Sequence, residues 1–294
     1  MNYPEIASRM FNTPLMLQPA KAETIARAFG PRVLGLDDAN GRQMGIVGER
    51  LREEVDWYGE KTYRGAHRVR DQIGLIEIEG SLINKGKWIG KSCGMTTYEA
   101  ISIQADDCRT DDAIKGAIVE IDSFGGEVTG AFDCAEKLFE LSAVKPTIAV
   151  LTDHACSAGY LLASACQQII VPASGLCGSI GVVSLHVDVS GWLKKEGLNV
   201  TILKAGAHKA DLNPYEAIPE DVLARELAEL EEMRVEFAAT VARYRAGRLS
   251  TEQALATEAG VYRGEKAVEA GLADAVARPS QVLDAFEAQL GLSA

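Results

Sequence analysis

The sequence predicts an α/β fold with a largely parallel core sheet, and three observations carry this prediction. Segments such as "GAIVEID" and "PTIAVLT" are short, β-branched and almost wholly apolar, as strands covered on both faces are. Helical patterns separate these segments, which is typical of parallel strands joined by crossover helices. The chain has 294 residues, 47% of them hydrophobic and 24% charged, so it can bury a large core.

The predicted elements follow one another from about residue 73. "IGLIEIEGSLI" predicts the first strand, "TTYEAISIQADDC" a helix, "GAIVEID" the second strand, and "VTGAFDCAEKLFEL" the next helix. "PTIAVLT" predicts the third strand, and after the apolar "VVSLHVDV" come a helix near "GWLKKEG" and a strand at "NVTILKAG". Residues 1–70 alternate short apolar runs with charged patches and predict a mostly helical N-terminal arm, so 71–294 form the main domain.

Residues 219–246 predict the clearest helix. Pro219 falls in its first turn and Gly247 just past its end, the asymmetry expected at helix termini. This helix carries one apolar stripe, made of Leu223, Leu227, Leu230, Phe237, Val241 and Tyr244. The stripe predicts a face packed on the core, with a partner-binding face as the alternative. Shorter helices are expected at 250–258 and near 280–290.

The charge balance argues against binding to nucleic acids or anionic membranes. Thirty basic against 42 acidic residues give a net charge of −12, whereas phosphate-binding surfaces need clustered Lys and Arg. No apolar stretch approaches the roughly 18 residues of a membrane span, and the N-terminus lacks the pattern of a secretory signal. We therefore expect a soluble intracellular protein.

The cysteine pattern indicates reduced thiols, with neither a disulfide framework nor a metal site. The six cysteines form no C-x-x-C pair, and the four histidines show no zinc-binding spacing. In a chain of this size such scattered cysteines are typical of buried thiols in a cytosolic protein. They are Cys93, Cys108, Cys134, Cys156, Cys166 and Cys177.

The stretch "HACSAGYLLASAC" holds several candidate nucleophiles behind a predicted strand. Ser157 lies where the strand turns into an Ala-rich helix, a corner that raises its hydroxyl beside free backbone N–H groups. Its alternative role is an ordinary helix N-cap. Cys156 is expected to be a buried thiol, and Ser164 and Cys166 fall inside the helix. His154 is expected to be a turn or surface histidine.

Two further segments offer groups that a serine nucleophile needs. In "LKAGAHKADLNPY", Lys209 follows a predicted strand and lies beside His208; it is either a base or a solvated surface charge. In "EIDSFGGEV", Gly125 and Gly126 follow a buried strand, and they either present N–H groups to a substrate oxygen or form a tight turn.

Together these segments resemble the signal peptide peptidase A family of serine proteases, which share the Clp-protease/crotonase fold. The family's motifs stand here as "DSFGG" (122–126), "CSAGY" (156–160), "CGSIG" (177–181) and "GAHK" (206–209). The stretches "IASRMFNTPLMLQPAKA" and "GAHKADLNPY" are similar to one branch, the head-maturation proteases of lambda-type tailed phages. Phe124 and Cys177 replace the family's usual Pro and Thr, which affects loop geometry more than chemistry.

The resemblance implies a Ser-Lys dyad, with Ser157 as the nucleophile and Lys209 as the general base. An ordinary lysine has a pKa near 10.4, so a neutral base requires a pKa lowered by roughly 3 units, about 4 kcal/mol against the charged form. Asp211 would then have to point away from Lys209. Ser179 matches the family serine that hydrogen-bonds the lysine.

The same resemblance assigns the oxyanion hole and leaves one rival. The backbone N–H groups of the hole would belong to Ala158 and Gly126, with Gly125 beside them. The rival is a triad that combines His208 or His154 with Asp122 or Asp153. The family's Gly-x-x-Lys spacing, which ends at residue 209, favours the dyad.

The resemblance implies an endopeptidase that needs no metal or cofactor and works inside an assembling phage procapsid in the host cytoplasm. Its protein substrates would be scaffold, its own chain, and portal or coat protein. Relatives of this fold assemble into rings, so the resemblance also implies a homo-oligomer. Three alternatives stay open. They are a cytosolic protease that degrades small peptides, a crotonase-like acyl-CoA enzyme, and an inactive protein associated with the capsid scaffold.

Overall fold

The computed structural model of the 294-residue chain describes residues 11–18, 21, 62–64, 67–70, 72–85 and 94–292. Its strands are β1 Leu15–Leu17, β2 Thr62–Arg64, β3 His67–Arg70, β4 Ile73–Ile83, β5 Met95–Thr97, β6 Gly116–Glu127, β7 Thr147–Cys156, β8 Gln168–Val171, β9 Leu176–Gly178, β10 Val261–Arg263 and β11 Ala275–Val276. Its helices are α1 Tyr98–Thr110, α2 Ala131–Val144, α3 Ala158–Ser164, α4 Ser190–Lys195, α5 Glu220–Tyr244, α6 Thr251–Ala256, α7 Glu265–Glu269 and α8 Pro279–Gln289.

The strands form one mixed sheet in the order β10-β9-β7-β6-β4-β3-β2. Beside this path, β1 pairs with β6, β5 with β4, β8 with β7, and β11 with β8. The central pairs β4–β6 and β6–β7 are parallel, as are the pairs of β7 with β8 and β9. Helices lie between these strands in sequence, so the predicted α/β class with a largely parallel sheet flanked by helices is confirmed.

The core lies on both faces of this sheet because side chains alternate along each strand. Ile76, Val119 and Leu151 point to one face, where helices α1, α2, α3 and α5 cover them. Ile118 and Val150 point to the other face, where α8 covers them. Burial on both sides explains why the strand sequences read as continuous apolar runs.

The described parts of the predicted N-terminal arm include three strands. β2 and β3 form an antiparallel hairpin that continues onto β4, and β1 pairs with the end of β6. Most of residues 1–70 lies outside the described residues, so a mostly helical arm and a domain boundary at 70 remain predictions.

Two sequence predictions for the second half of the chain need correction. "NVTILKAG" (199–206) forms no strand, and Val200 and Leu203 are 47% and 92% exposed. A strand needs a neighbour for its backbone N–H and C=O groups, and no described strand pairs with this segment. The apolar sequence pattern indicates residues that favour a strand, but it does not show that a neighbouring strand is there to pair with them.

The long helix α5 ends as predicted, yet only half of its stripe packs on the core. Phe237 and Val241 are fully buried, whereas Leu223 and Leu227 are 46% and 57% exposed. Periodicity shows that one face is apolar without showing what covers it. The core interpretation is therefore confirmed for the C-terminal half of the stripe and wrong for the N-terminal half.

A buried ion pair fixes the end of α5 to the sheet. Arg245, only 1% exposed, donates to both carboxylate oxygens of Asp274, at 2.7 and 3.1 Å. The same carboxylate accepts from the backbone N–H of Ile169 at 2.7 Å, and Arg248 approaches it to 3.3 Å. One side chain thus joins α5, β8 and the segment before β11.

Candidate active site

Ser157 occupies the corner between β7 and α3 in a conformation that few non-glycine residues adopt. Its φ is 56° and its ψ −122°, and its backbone N–H donates to Gly178 O at 2.8 Å. Its carbonyl accepts from the N–H groups of Tyr160 and Leu161 at 2.9 and 3.0 Å. These bonds hold the corner in place although the residue itself is in an uncommon region of φ/ψ space.

The hydroxyl of Ser157 does not cap the helix. Its side chain makes no capping hydrogen bond to α3, and its Oγ makes only a long hydrogen bond, 3.4 Å, to Gly181 O. The alternative role as a helix N-cap therefore fails. A hydroxyl held at a strained corner without a structural task is a candidate nucleophile.

Two glycines pass close to this corner and have to be glycines. A Cβ on Gly126 would lie 1.8 Å from Leu82 O, and one on Gly125, whose φ is 101°, would lie 3.0 Å from the Ala158 backbone nitrogen. The structure therefore places Gly125, with Gly126 next to it in sequence, close to the Ala158 amide that follows Ser157. A tight turn alone does not account for the close approach of Gly125 to the amide beside the candidate nucleophile.

The hydrogen bonds of this loop distinguish the two glycines. The Gly125 N–H donates to Ser123 Oγ at 3.1 Å, and Ser123 Oγ donates in turn to Gly80 O at 2.6 Å. The Gly125 N–H is thus already engaged, so the candidate oxyanion donors are Gly126 and Ala158. Sequence reasoning missed Ser123, whose position one residue before the Phe-Gly-Gly run was the available signal.

Ser179 lies in the turn that follows β9 and borders the same corner. It is 4% exposed with φ 57°, and its N–H donates to Gly260 O at 2.8 Å. The pairing of Cys156 with Gly178 in the β7–β9 ladder places this turn next to Ser157.

The structure does not bring Lys209 to Ser157 within one chain. Ser157 is fully buried, whereas Lys209 is exposed on a loop, and the residues around its surface depression do not include Ser157. Asp211 is engaged by His208 at 2.8 Å and by Arg225, so its carboxylate is turned toward those two groups. Among the described residues, no ion pair involves the Lys209 ammonium, and the expectation that Asp211 points away from it stays a prediction.

The histidines are also separate from the serine hydroxyl. His154 Nδ1 lies 3.1 Å from Asp122 Oδ1, and its ring packs on Phe124 with centroids 4.2 Å apart. Neither rival triad is assembled, because the hydrogen bond of Ser157 goes to Gly181 O. Ligand-type atoms of His154, Asp122 and Asp153 lie within 4.8 Å of one another, a grouping that could hold a cation but that carries no assignment by itself.

Burial removes the described cysteines from consideration as nucleophiles. Burial is the main cause that raises the pKa to about 12 for Cys156, Cys166 and Cys177. Cys108 and Cys134 show the same effect, and Cys93 lies outside the described residues. The reactive form of cysteine is the thiolate, which is scarce at neutral pH when the pKa is this high.

We expect these five thiols to resist an aromatic disulfide reagent at pH 8 in the folded protein. A thiol with a pKa of about 12 is only about one part in 10⁴ ionised at that pH, and burial also blocks access. All five should react at once in guanidinium chloride. Mass-spectrometric mapping checks the result, and rapid labelling of folded Cys156 would reinstate it as a candidate nucleophile.

Comparison with known proteins decides the family. Residues 140–293, just over half of the chain, match Peptidase family S49. The chain belongs to peptidase family S49. The S49 chain is 34% identical over 297 residues to the capsid assembly protease C of Escherichia phage lambda, covering 98% of this chain and 67% of that protein. The predicted relationship to signal peptide peptidase A-type serine proteases and their lambda-type branch is confirmed.

Two other similarities accompany this result. The S49 chain is 34% identical over 293 residues to the head-tail preconnector protein GP5 of Enterobacteria phage P21, covering 98% of this chain but 58% of that protein. Among solved structures it is similar to a ClpP1 mutant from Listeria monocytogenes, with TM-score 0.42 and 14% identity over 71% of this chain and 94% of that one. No described helix is both long and apolar enough to cross a bilayer.

Proposed function

We propose that the S49 chain is a serine endopeptidase that acts during assembly of a phage head. The observation that carries this proposal is the uncapped hydroxyl of Ser157 at a strained corner, followed directly by the Ala158 amide, which Gly125 approaches closely. The lambda relative is named a capsid assembly protease, and this similarity supports proteins of an assembling capsid as the proposed substrates of this chain. These substrates are scaffold, the protease's own chain, and portal or coat protein, inside a procapsid in the host cytoplasm.

In the proposed reaction, Ser157 Oγ attacks a substrate peptide carbonyl and its proton passes to neutral Lys209. The developing oxyanion accepts hydrogen bonds from the Ala158 and Gly126 N–H groups, each typically worth 10²–10³ in rate. Lys209 then protonates the leaving amine, and water releases the acyl group from Ser157. Ser179 would orient the lysine, and no step uses a metal or cofactor.

The base has to reach the serine through assembly, since Lys209 is exposed in the single chain. Leu198, Val200 and Leu203 lie 52%, 47% and 92% exposed on the segment that leads to it. Large apolar side chains grouped on a surface mark a contact with another protein. We propose that a second copy of the chain covers this segment and brings Lys209 into a water-excluded site beside Ser157.

Replacing Ser157 with Ala is expected to abolish processing when the chain is co-expressed with its neighbouring scaffold and portal proteins. The matched control is Ser164→Ala, because Ser164 is also fully buried but only donates to Leu161 O within its own helix. Mass spectrometry of the products checks both variants. Cleavage at unchanged sites by Ser157→Ala would remove the serine from the mechanism.

A further inference from the structure

A segment of this chain lies in the groove beside the candidate nucleophile. β1 pairs antiparallel with Gly125–Glu127 at the end of β6. On its other side, Leu15 and Val183 exchange backbone hydrogen bonds of 2.8 and 2.9 Å. The groove between these two stretches thus holds an extended peptide through backbone bonds on both edges, which is how proteins bind peptides by strand addition.

The carbonyl of Met16 stands at the proposed oxyanion hole. Gln18 N–H donates to Phe124 O at 3.1 Å, and the register pairs Met16 with Gly126 two residues further on. An antiparallel ladder exchanges its next N–H···O=C bonds at that pair, so the Gly126 N–H points to Met16 O. A Cβ on Gly125 would lie 2.0 Å from Met16 O and 3.0 Å from the Ala158 nitrogen, which places this carbonyl near both amides.

The side chains of the segment fill both faces of the groove. Met16 is fully buried and belongs to the main core. Leu15 and Leu17, 4% and 6% exposed, point the other way and pack against Phe124, Val183 and Leu185. Phe124, which stands where the family usually has a proline, therefore forms part of the surface that contacts this segment.

We infer that this groove, formed by 124–127 and 183–185, binds extended apolar peptides and that residues 14–18 occupy it in cis and block substrate entry. The inference rests on the proposed protease function, because it assigns a substrate class and a form of control to the same site. An extended strand with alternating long apolar side chains fits the groove. The segment survives there because Lys209 is not in position to start cleavage.

Binding of a free peptide tests the inference without any requirement for activity. The test uses a Ser157→Ala background. The variant that also carries Leu15→Glu and Leu17→Glu is called the released chain, because its two charges against the apolar groove wall should drive residues 14–18 out of the groove. The chain without these two changes is the unreleased chain. Fluorescence anisotropy with a labelled Thr-Pro-Leu-Met-Leu-Gln-Pro peptide should show binding at least about tenfold tighter than to the unreleased chain, because more of the groove is open.

Two further variants guard this test. Val144→Glu, at a position 63% exposed at the end of α2, is the matched apolar-to-acid control and should bind as weakly as the unreleased chain. Met16→Pro removes the N–H that faces Gly126 without adding charge, and it should behave as the double variant does. Equal peptide binding by all of these chains, with thermal unfolding unchanged, would overturn the inference.

Labelling with a fluorophosphonate probe separates this inference from the proposed function. With Ser157 intact, the released chain should be labelled at that residue at least about tenfold faster, and added peptide should slow the labelling. Absence of labelling in every chain, together with tighter peptide binding by the released one, would reject the nucleophile and retain the groove. Equal labelling and equal binding would retain the nucleophile and reject the block.

Discussion

Replacing Lys209 with Met is expected to lower kcat/KM for peptide cleavage by about 10²–10⁴-fold, the range that general base catalysis contributes. Methionine preserves the length and apolar stem of lysine but cannot accept a proton. Lys209→Arg should be equally inactive, because a guanidinium stays charged in proteins. Steady-state kinetics with a peptide cut from the scaffold measures the effect.

Histidine variants distinguish the Ser-Lys dyad from a triad that uses a histidine as the base. His208→Ala should retain activity within about threefold, because His208 is exposed and is paired with Asp211. His154→Ala should do the same, since its nearest polar partner is Asp122 and not the serine hydroxyl. If a histidine change abolishes cleavage while Lys209→Met does not, the dyad is wrong and a triad replaces it.

Replacing Asp274 with Asn is expected to lower the free energy of unfolding by about 3 kcal/mol, the lower end of the cost of breaking a buried ion pair. Arg245 is 1% exposed and would lose the carboxylate that receives two of its hydrogen bonds. Because the side chain of Asp274 is 20% exposed, we expect the loss of stability to lie at that lower end. Urea denaturation followed by circular dichroism measures the change.

Asp284→Asn provides the matched control, because Asp284 is exposed on α8. We expect it to change stability by less than about 0.5 kcal/mol, as most surface substitutions do. A similarly small effect at Asp274 would mean that the pair with Arg245 adds little to the stability of the end of α5.

The central sheet could be predicted from the sequence because burial on both faces forces its strands to be apolar throughout. "GAIVEID" and "PTIAVLT" carry that signal, and both lie in the middle of the sheet as β6 and β7. "NVTILKAG" carries a similar signal and forms no strand. Apolar composition indicates that a segment favours burial, but it does not show that another strand lies beside it.

The candidate site was predictable in its local part. The strand-to-helix corner at Ser157 and the paired glycines each depend on a few consecutive residues, and the structure places them together. The pairing of β1 with β6 joins residues about 110 positions apart through a three-residue strand. Neither length nor composition specifies such a contact. The proposed approach of Lys209 to Ser157 would depend on surfaces beyond one chain, and no local pattern of residues encodes such surfaces.

The surface position of Lys209 has a consequence for where the protease would work. If the base reaches the serine only when two copies meet, the rate of cleavage rises more steeply than the protein concentration. Dilution would then abolish cleavage. A chain packed into a closed shell would meet another copy at once, while the same chain free in the cell would remain idle. Confinement would then act as the signal that starts cleavage.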